Sequence, residues 1–357
     1  MNQKDILYPL RRLHGMLHEW HMTNQYVKSW WGKNAGIRVL LPGLPDHTNL
    51  GDSAISIAQR LFLIRSGISP ESIREVGFSE YPSFRRRIRR LVKKHDLIVH
   101  LGGGNMGSQW KREENFHRLL LSDFPQNPTV VFPQTIYYAE TEEEYRQSSI
   151  PVYNDRPKLI IVAREKKSLE LVQKLYPNTL SMLAPDIVLS ADMSSFGVEP
   201  QPRHGVLFCM RNDPERAMTD EQRAALEGIF SGWGKEMRHT DMHANVWITK
   251  ENRGVCVKEK LEEIASAELV ITDRLHGMIF AAITGTPCIA FGNYNYKVRG
   301  TYEWISYLPY IRFAETVEDA ERMIPDLMEM KDCRFDNKPL QPYFETLAQV
   351  VRSYANN

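Results

Sequence analysis

Nowhere in these 357 residues does an apolar run reach the roughly 18 residues that would read as a membrane-crossing helix. The first stretch, MNQKDILYPLRRLHG, has no apolar segment ahead of a small-residue cleavage site, so no secretory leader is expected. Cysteine is scarce. The four present, Cys209, Cys256, Cys288 and Cys333, lack CxxC spacing, which argues against a zinc site or a disulfide framework and fits a reducing compartment. Charge imbalance is missing too: 45 Lys and Arg against 44 Asp and Glu leave a net charge of +1 and no global pull toward nucleic acid. No internal repeat or low-complexity tract stands out. The expectation is a cytoplasmic protein with no nucleic-acid partner.

What is present is the composition of a soluble globular chain, 42% hydrophobic and 25% charged, at a length that suits two α/β domains. Leu10, Leu13, Leu17 and Trp20 stand at helical spacing and predict a helix over 4–30, packed on the body of the protein. Short apolar runs then alternate with helical stretches. GIRVLLPG (36–43), DLIVHL (96–101), TVVFPQ (129–134) and KLIIVA (158–163) predict one set of buried strands. GVLFCM (205–210), ELVITD (268–273) and PCIAF (287–291) predict another. Between them, EPQPRHG (199–205) reads as a hinge. This implies an N-terminal helical segment (1–34), two Rossmann-like lobes (35–198 and 199–330) with a cleft between them, and a C-terminal helical segment (331–357) that packs back across the lobes.

Ligands of open parallel sheets bind beyond the carboxyl ends of the strands, so those positions are where chemistry is expected. They hold Asn49, Gly51 and Asp52, the glycine run Gly102, Gly103, Gly104 with Asn105, then Arg164 and Glu165, Asp186, Arg211, the run Asp273-Arg274-Leu275-His276-Gly277, and Asn295 with Lys297. Glycines at a helix start let backbone N–H groups approach an anion. No Walker lysine follows the run, so an ATP site is not read from it. Arginine is the natural fork for carboxylate or phosphate, and histidine exchanges a proton near neutral pH. Two arginines and a histidine around one cleft suit a small ligand that carries both phosphate and carboxylate. The bland alternative pairs Arg274 with a neighbouring acid, Arg164 with Glu165 or Asp186, and leaves His276 at a helix start.

Arg85 to Lys94 holds seven Arg and Lys in ten residues, with Phe84, Ile88, Leu91 and Val92 at helical spacing. An amphipathic helix with a solvated basic face explains it; contact with anionic lipid headgroups or a lipid-linked diphosphate is the functional alternative.

The ordered set NLGD (49–52), HLGGGNMG (100–107), VAREKKSLELV (162–172), APDIVL (184–189) and DRLHGMIFAAITGTPCIAFGNYNYK (273–297) resembles the polysaccharide pyruvyltransferase family over about residues 35–305. The resemblance implies a glycosyltransferase-B-like fold and pyruvyl transfer from phosphoenolpyruvate, as co-substrate, to form a ketal on a sugar. It implies that Arg164, Arg274 and His276 line the donor site, with His276 as the acid and the arginines as anion clamps. Asp52 or Asp186 would orient or deprotonate an acceptor hydroxyl. The acceptor would be a surface polysaccharide or its precursor, including a lipid-linked oligosaccharide met at the inner face of the plasma membrane. No step calls for a metal or a further cofactor. Two other readings stay open: a nucleotide-sugar-dependent glycosyltransferase of the same fold, and a non-catalytic relative that binds a polymer precursor.

Overall fold

A computed structural model describes residues 38–213, 216–293 and 295–355, so the expected helix over 4–30 lies outside the described residues. The first lobe is built on β1 (Val39–Leu44), α1 (Leu50–Arg65), β2 (Ile73–Gly77), α2 (Tyr81–Leu91), β3 (Leu97–His100), β4 (Gly103–Gly107), α3 (Lys111–Asp123), β5 (Thr129–Tyr137), α4 (Glu143–Tyr153), β6 (Leu159–Ala163), α5 (Lys166–Leu175) and β7 (Leu180–Leu183). Its parallel sheet runs β2-β1-β3-β5-β6-β7, with β4 paired to β5 beyond the end of β3. The second lobe contains β8 (Val206–Cys209), α6 (Asp220–Gly232), β9 (Met237–Thr240), α7 (Arg253–Ala265), β10 (Leu269–Thr272), α8 (Leu275–Thr284), β11 (Cys288–Phe291), α9 (Lys297–Ile305), β12 (Ile311–Ala314) and α10 (Val317–Glu329). Its parallel sheet runs β12-β11-β10-β8-β9. This is the two-lobed α/β architecture the alternating pattern implies.

The strands legible as apolar runs are the interior ones: β1, β3, β5 and β6 in one sheet, β8, β10 and β11 in the other. Buried on both faces, they need continuous hydrophobic sequence. The four edge strands, β2, β7, β9 and β12, went unread, because IREVG, LSML, MRHT and IRFA mix polar and apolar residues.

Two expectations need correction. GGGNMG does not open a helix: Gly103–Gly107 is a strand, and α3 begins only at Lys111. Gly102, Gly104 and Gly107 have the spacing of a dinucleotide fingerprint, but that motif requires a strand-to-helix turn. Three amides of the run are already engaged, Gly102 N–H by Gln59, Asn105 N–H by Gln134 and Gly107 N–H by Glu114. An anion cradle is therefore not supported here.

The hinge is the second. Residues of both lobes share one apolar core, in which Leu50, Ala54 and Ile55 of α1 join Met242, Ile248, Val257 and Leu261. A short antiparallel bridge ties the lobes as well: Leu50 N–H donates to Met242 O (2.9 Å) and Ala244 N–H to Thr48 O (2.8 Å). Arg253 of α7 reaches across to buried Glu75 (2.5 Å) and to Ser56 (3.1 Å). The final helix, α11 (Gln341–Ala355), packs back on α1 as expected, with the Phe62 and Phe344 rings 6.2 Å apart. An interface this apolar holds the lobes together rather than hinging them.

On α2, Tyr81, Phe84 and Ile88 face inward, and Arg85 makes a bidentate pair with buried Asp123 (2.7 Å to each oxygen). Arg86, Arg87 and Arg90 are exposed, as a solvated basic face requires. No helix among the described residues is long and apolar enough to cross a membrane.

Candidate active site

A cleft of about 340 Å³ opens between the lobes, at the carboxyl ends of both sheets. Its inner end is lined by Arg164 after β6, Arg211 after β8, Arg274 and His276 after β10, and Lys297 at the start of α9, with Asn49, the cap of α1, beside them and Asp52 leading from them toward His47 at 3.5 Å. Strand-end residues far apart in sequence therefore meet, and both lobes contribute.

Behind the wall sits Asp186, 1% exposed and outside the cleft lining. Arg164 Nη1 donates to its Oδ2 at 2.8 Å, and His276 Nε2 lies 3.6 Å from the same oxygen. That is an ion-pair distance for a protonated ring and too long for a hydrogen bond. Burial pushes the Asp186 carboxyl up, but His276, Arg164 and the Val188 N–H outweigh it and hold it at about 2. The role of acceptor base considered for Asp186 is corrected by this placement: it cannot touch a ligand in the cleft, and instead orients Arg164 and His276 together. Arg164 Nε is fixed by Thr135 (2.7 Å), which leaves Nη2 as the open edge of the guanidinium. Burial raises Glu165, next along the chain, to about 7 against the pull of Arg164, Ser168 and Thr135.

Two glycines make room for these groups. A Cβ on Gly51 would lie 2.3 Å from His276 Nδ1, and one on Gly104 would lie 2.9 Å from Arg164 Nη2. Gly51 therefore lets the N-terminus of α1 abut His276, with Nε2 turned to Asp186 and Nδ1 on the side of α1.

Arg274 is paired, as the bland reading allowed, though not with Asp273. Its Nε and Nη2 fork onto Asp241 (2.6 and 2.7 Å), and Nη1 donates to Asp213 (2.6 Å). Asp213 also meets Arg211 Nε at 3.1 Å, so its carboxylate lies between two arginines. Asp273 is turned away to the Arg211 N–H (2.8 Å).

Other expected residues serve the frame. Asn49 Oδ1 caps α1, accepting from the N–H groups of Gly51 (2.9 Å) and Asp52 (3.3 Å). Asn295 accepts from the Lys297 N–H (3.1 Å), and neither it nor Gly51, Gly102 and Gly103 lines the cleft. Asn105 does line it. Its Oδ1 accepts from Gln134 Nε2 (2.7 Å) and from His117 Nε2 (3.1 Å), which turns its amide NH2 away from both. For His117 Nε2 to donate, its Nδ1 must accept from His100 Nδ1, 2.9 Å away. The nitrogen left over, His100 Nε2, is then a lone pair, and it is indeed buried without a partner. Burial lowers His117 to about 4 and His100 well below its ordinary value, so both rings are neutral and the arrangement holds.

Sequence reasoning missed the far end of the cleft. There Asp46, His47, Phe78, Trp110, Arg112, Glu113 and Phe116 line the wall, all from the first lobe. KREENFH (111–117) at the start of α3 follows no motif and reads as an ordinary amphipathic helix. Only the loop after β2, folded over α3, turns that face into a wall.

Comparison with known proteins gives a consistent result. Residues 49–295 match the family model described as polysaccharide pyruvyl transferase. "General stress protein 30" of Bacillus subtilis (strain 168) is 32% identical over 87% of this chain and 91% of its own length. "Pyruvyl transferase 1" of Schizosaccharomyces pombe (strain 972 / ATCC 24843) is 30% identical over 72% of this chain and 67% of its own. Among solved structures, a functionally uncharacterised protein from Klebsiella pneumoniae subsp. pneumoniae NTUH-K2044 superposes with a TM-score of 0.54 at 18% identity. The match covers 81% of this chain and 96% of that one, and it speaks for the fold alone.

Proposed function

Because the chain belongs to the polysaccharide pyruvyl transferase family, and is thus a transferase, we propose that it moves pyruvate from phosphoenolpyruvate onto a sugar of a cell-surface polysaccharide or its precursor, closing a ketal. The observation that carries this reading is the convergence in one cleft of Arg164 from one lobe with Arg274 and His276 from the other, Arg164 and His276 sharing the buried carboxylate of Asp186. A compact ligand with phosphate and carboxylate needs that many fixed cations in a small space, and a proton donor beside them.

The chemistry balances without a further reagent. His276 gives a proton to the enol methylene, and C2 becomes electrophilic. One sugar hydroxyl adds to C2 and loses its proton to a base in the cleft. A second hydroxyl then displaces phosphate from C2, its proton passing to the departing phosphate, and inorganic phosphate leaves as the ring closes; the base returns the first hydroxyl's proton to His276. The open Nη2 of Arg164, with Arg211, Arg274 and Lys297, holds the carboxylate and the departing phosphate. Asp186, 3.6 Å from Nε2, keeps the imidazole oriented.

The test is phosphate release from phosphoenolpyruvate with a panel of glycosides, with the product read by proton NMR as a methyl singlet on a ketal carbon. His276→Gln should lower kcat by about 10²–10⁴-fold while donor affinity stays within a few-fold. Thermal stabilisation by a nucleotide sugar, with none by phosphoenolpyruvate, would overturn the assignment.

A further inference from the structure

The cleft has two chemically different ends. Arg164, Arg211 and Arg274 at the inner end have side chains only 3–7% exposed. At the outer end Trp110 is 48% exposed, a large aromatic surface on a cleft wall and not on the convex face of the molecule. Next to it Phe78 packs on Phe116 (4.6 Å between ring centroids), and the Arg112 guanidinium covers the Phe78 face at 4.3 Å. These contacts fill the wall around Phe78, and Trp110 is left uncovered.

The arm differs from the inner end in adding the carboxylates Asp46, Asp52 and Glu113 to the cationic side chains His47 and Arg112 on its wall. Asp46 uses one oxygen on the Ser79 N–H (2.9 Å), and Asp52 faces His47 at 3.5 Å. No cation lies within ion-pair distance of the Glu113 carboxylate among the described residues, although it is half-buried on the wall. Burial raises Glu113, and neighbouring Asp52 adds to this against the pull of Arg112 and His47. Carboxylates with open lone pairs beside an uncovered indole suit a diphosphate less well than the arginines of the inner end do. They suit a neutral ring that offers hydroxyl donors at its edge and C–H groups on its face. A pyranose has that surface.

We propose that this outer arm is the acceptor subsite, taking one neutral pyranose unit with its apolar face on Trp110 and its hydroxyls on Asp52 and Glu113. The proposal rests on the pyruvyl-transfer reading for what happens next, and it adds where the acceptor lies. Asp52 is the neighbour of Gly51, against which His276 packs, so a hydroxyl held by Asp52 is carried to the edge of the donor end. Glu113, at the start of α3, is then the base that takes the attacking hydroxyl's proton. A ketal consumes two hydroxyls of one sugar, and a platform that fixes the ring plane fixes both at once.

Saturation-transfer NMR with methyl glucoside, galactoside and mannoside tests this on the full chain. Inorganic phosphate and phosphoenolpyruvate binding are followed in parallel by calorimetry. At least one glycoside should bind the parent with its strongest signals on the C–H groups of one ring face. Trp110→Ala should weaken it roughly tenfold or more, Trp110→Phe should retain most of it, and neither should alter phosphate binding beyond a factor of two. Glu113→Gln should cut phosphate release more than it weakens the glycoside. Should Trp110→Ala also lose phosphate binding, the variant has unfolded, and Trp110→Phe with Glu113→Gln decides. Unchanged glycoside binding in Trp110→Ala, or no binding of any glycoside to the parent, overturns the subsite. Trp110-dependent glycoside binding in a protein that never consumes phosphoenolpyruvate would keep the subsite and remove the pyruvyl-transfer reading.

Discussion

Asp213 occupies the ground that an incoming anion needs. Its carboxylate, held by Arg274 at 2.6 Å and Arg211 at 3.1 Å, would have to be displaced or shared by a phosphate bound as proposed. Asp213→Asn should therefore tighten inorganic phosphate binding by about fivefold, on the order of 1 kcal/mol, read by calorimetry. Weaker binding would instead make Asp213 a strut that positions the arginines. Glu165 gives a pH signature at the same scale. Its folded pKa of about 7 lies above the ordinary carboxylate value, so the folded state holds the proton longer than the unfolded one. Stability must then fall as pH rises from about 5 through 7. Glu165→Gln keeps the partners Thr135 and Ser168 and removes the titration. Thermal melts at pH 5.5 and 8 should show the variant gaining about 1–2 kcal/mol on the parent across that span. A parent whose stability does not change over this range would refute the burial argument.

At the scale of elements, the site depends on two helix starts that touch. The N-terminus of α1, capped by Asn49, presents Gly51 to His276 at the N-terminus of α8. Alanine at 51 would normally favour a helix, since it loses less backbone entropy than glycine. Here its Cβ would land 2.3 Å from His276 Nδ1 and the ring must move. Gly51→Ala should thus keep a melting temperature within a few degrees of the parent and lose about 10²-fold in kcat, the usual result of an ångström of misplacement. Near-parent turnover would show that His276 can shift without consequence. The strand β4 makes a complementary point: its glycines serve the close approach of Arg164 and the pairing with β5.

For the whole molecule, the shared core implies a preformed cleft. The bridge between 48–50 and 242–244, the Arg253–Glu75 pair and the packing of α11 on α1 all oppose rotation of one lobe on the other. Small-angle scattering with and without saturating phosphoenolpyruvate should give radii of gyration within about 0.5 Å of each other. A contraction of an ångström or more would show that the lobes close despite their common core.

The amino-acid sequence by itself determined the class of fold, the interior strands and the strand-end residues, because each is a local signal. A strand buried on both faces has to be apolar throughout, as VLLPG and LVIT are, and an arginine or histidine at its end is visible without knowing its neighbours. The edge strands carried no such signal, since half their surface meets water. Contacts between residues far apart in the chain were decided by the tertiary structure alone. Asp186 is a linker residue until folding sets it behind Arg164 and His276, 22 and 90 positions away. Asp213 and Asp241 are ordinary loop acids until they close on Arg274. Trp110 and Glu113 become one wall of a cleft only because α3 packs beside β4 and under Phe78. Periodicity along a chain records which residues must be buried; which charges then face each other depends on where the two sheets are held, and that is set by the core they share.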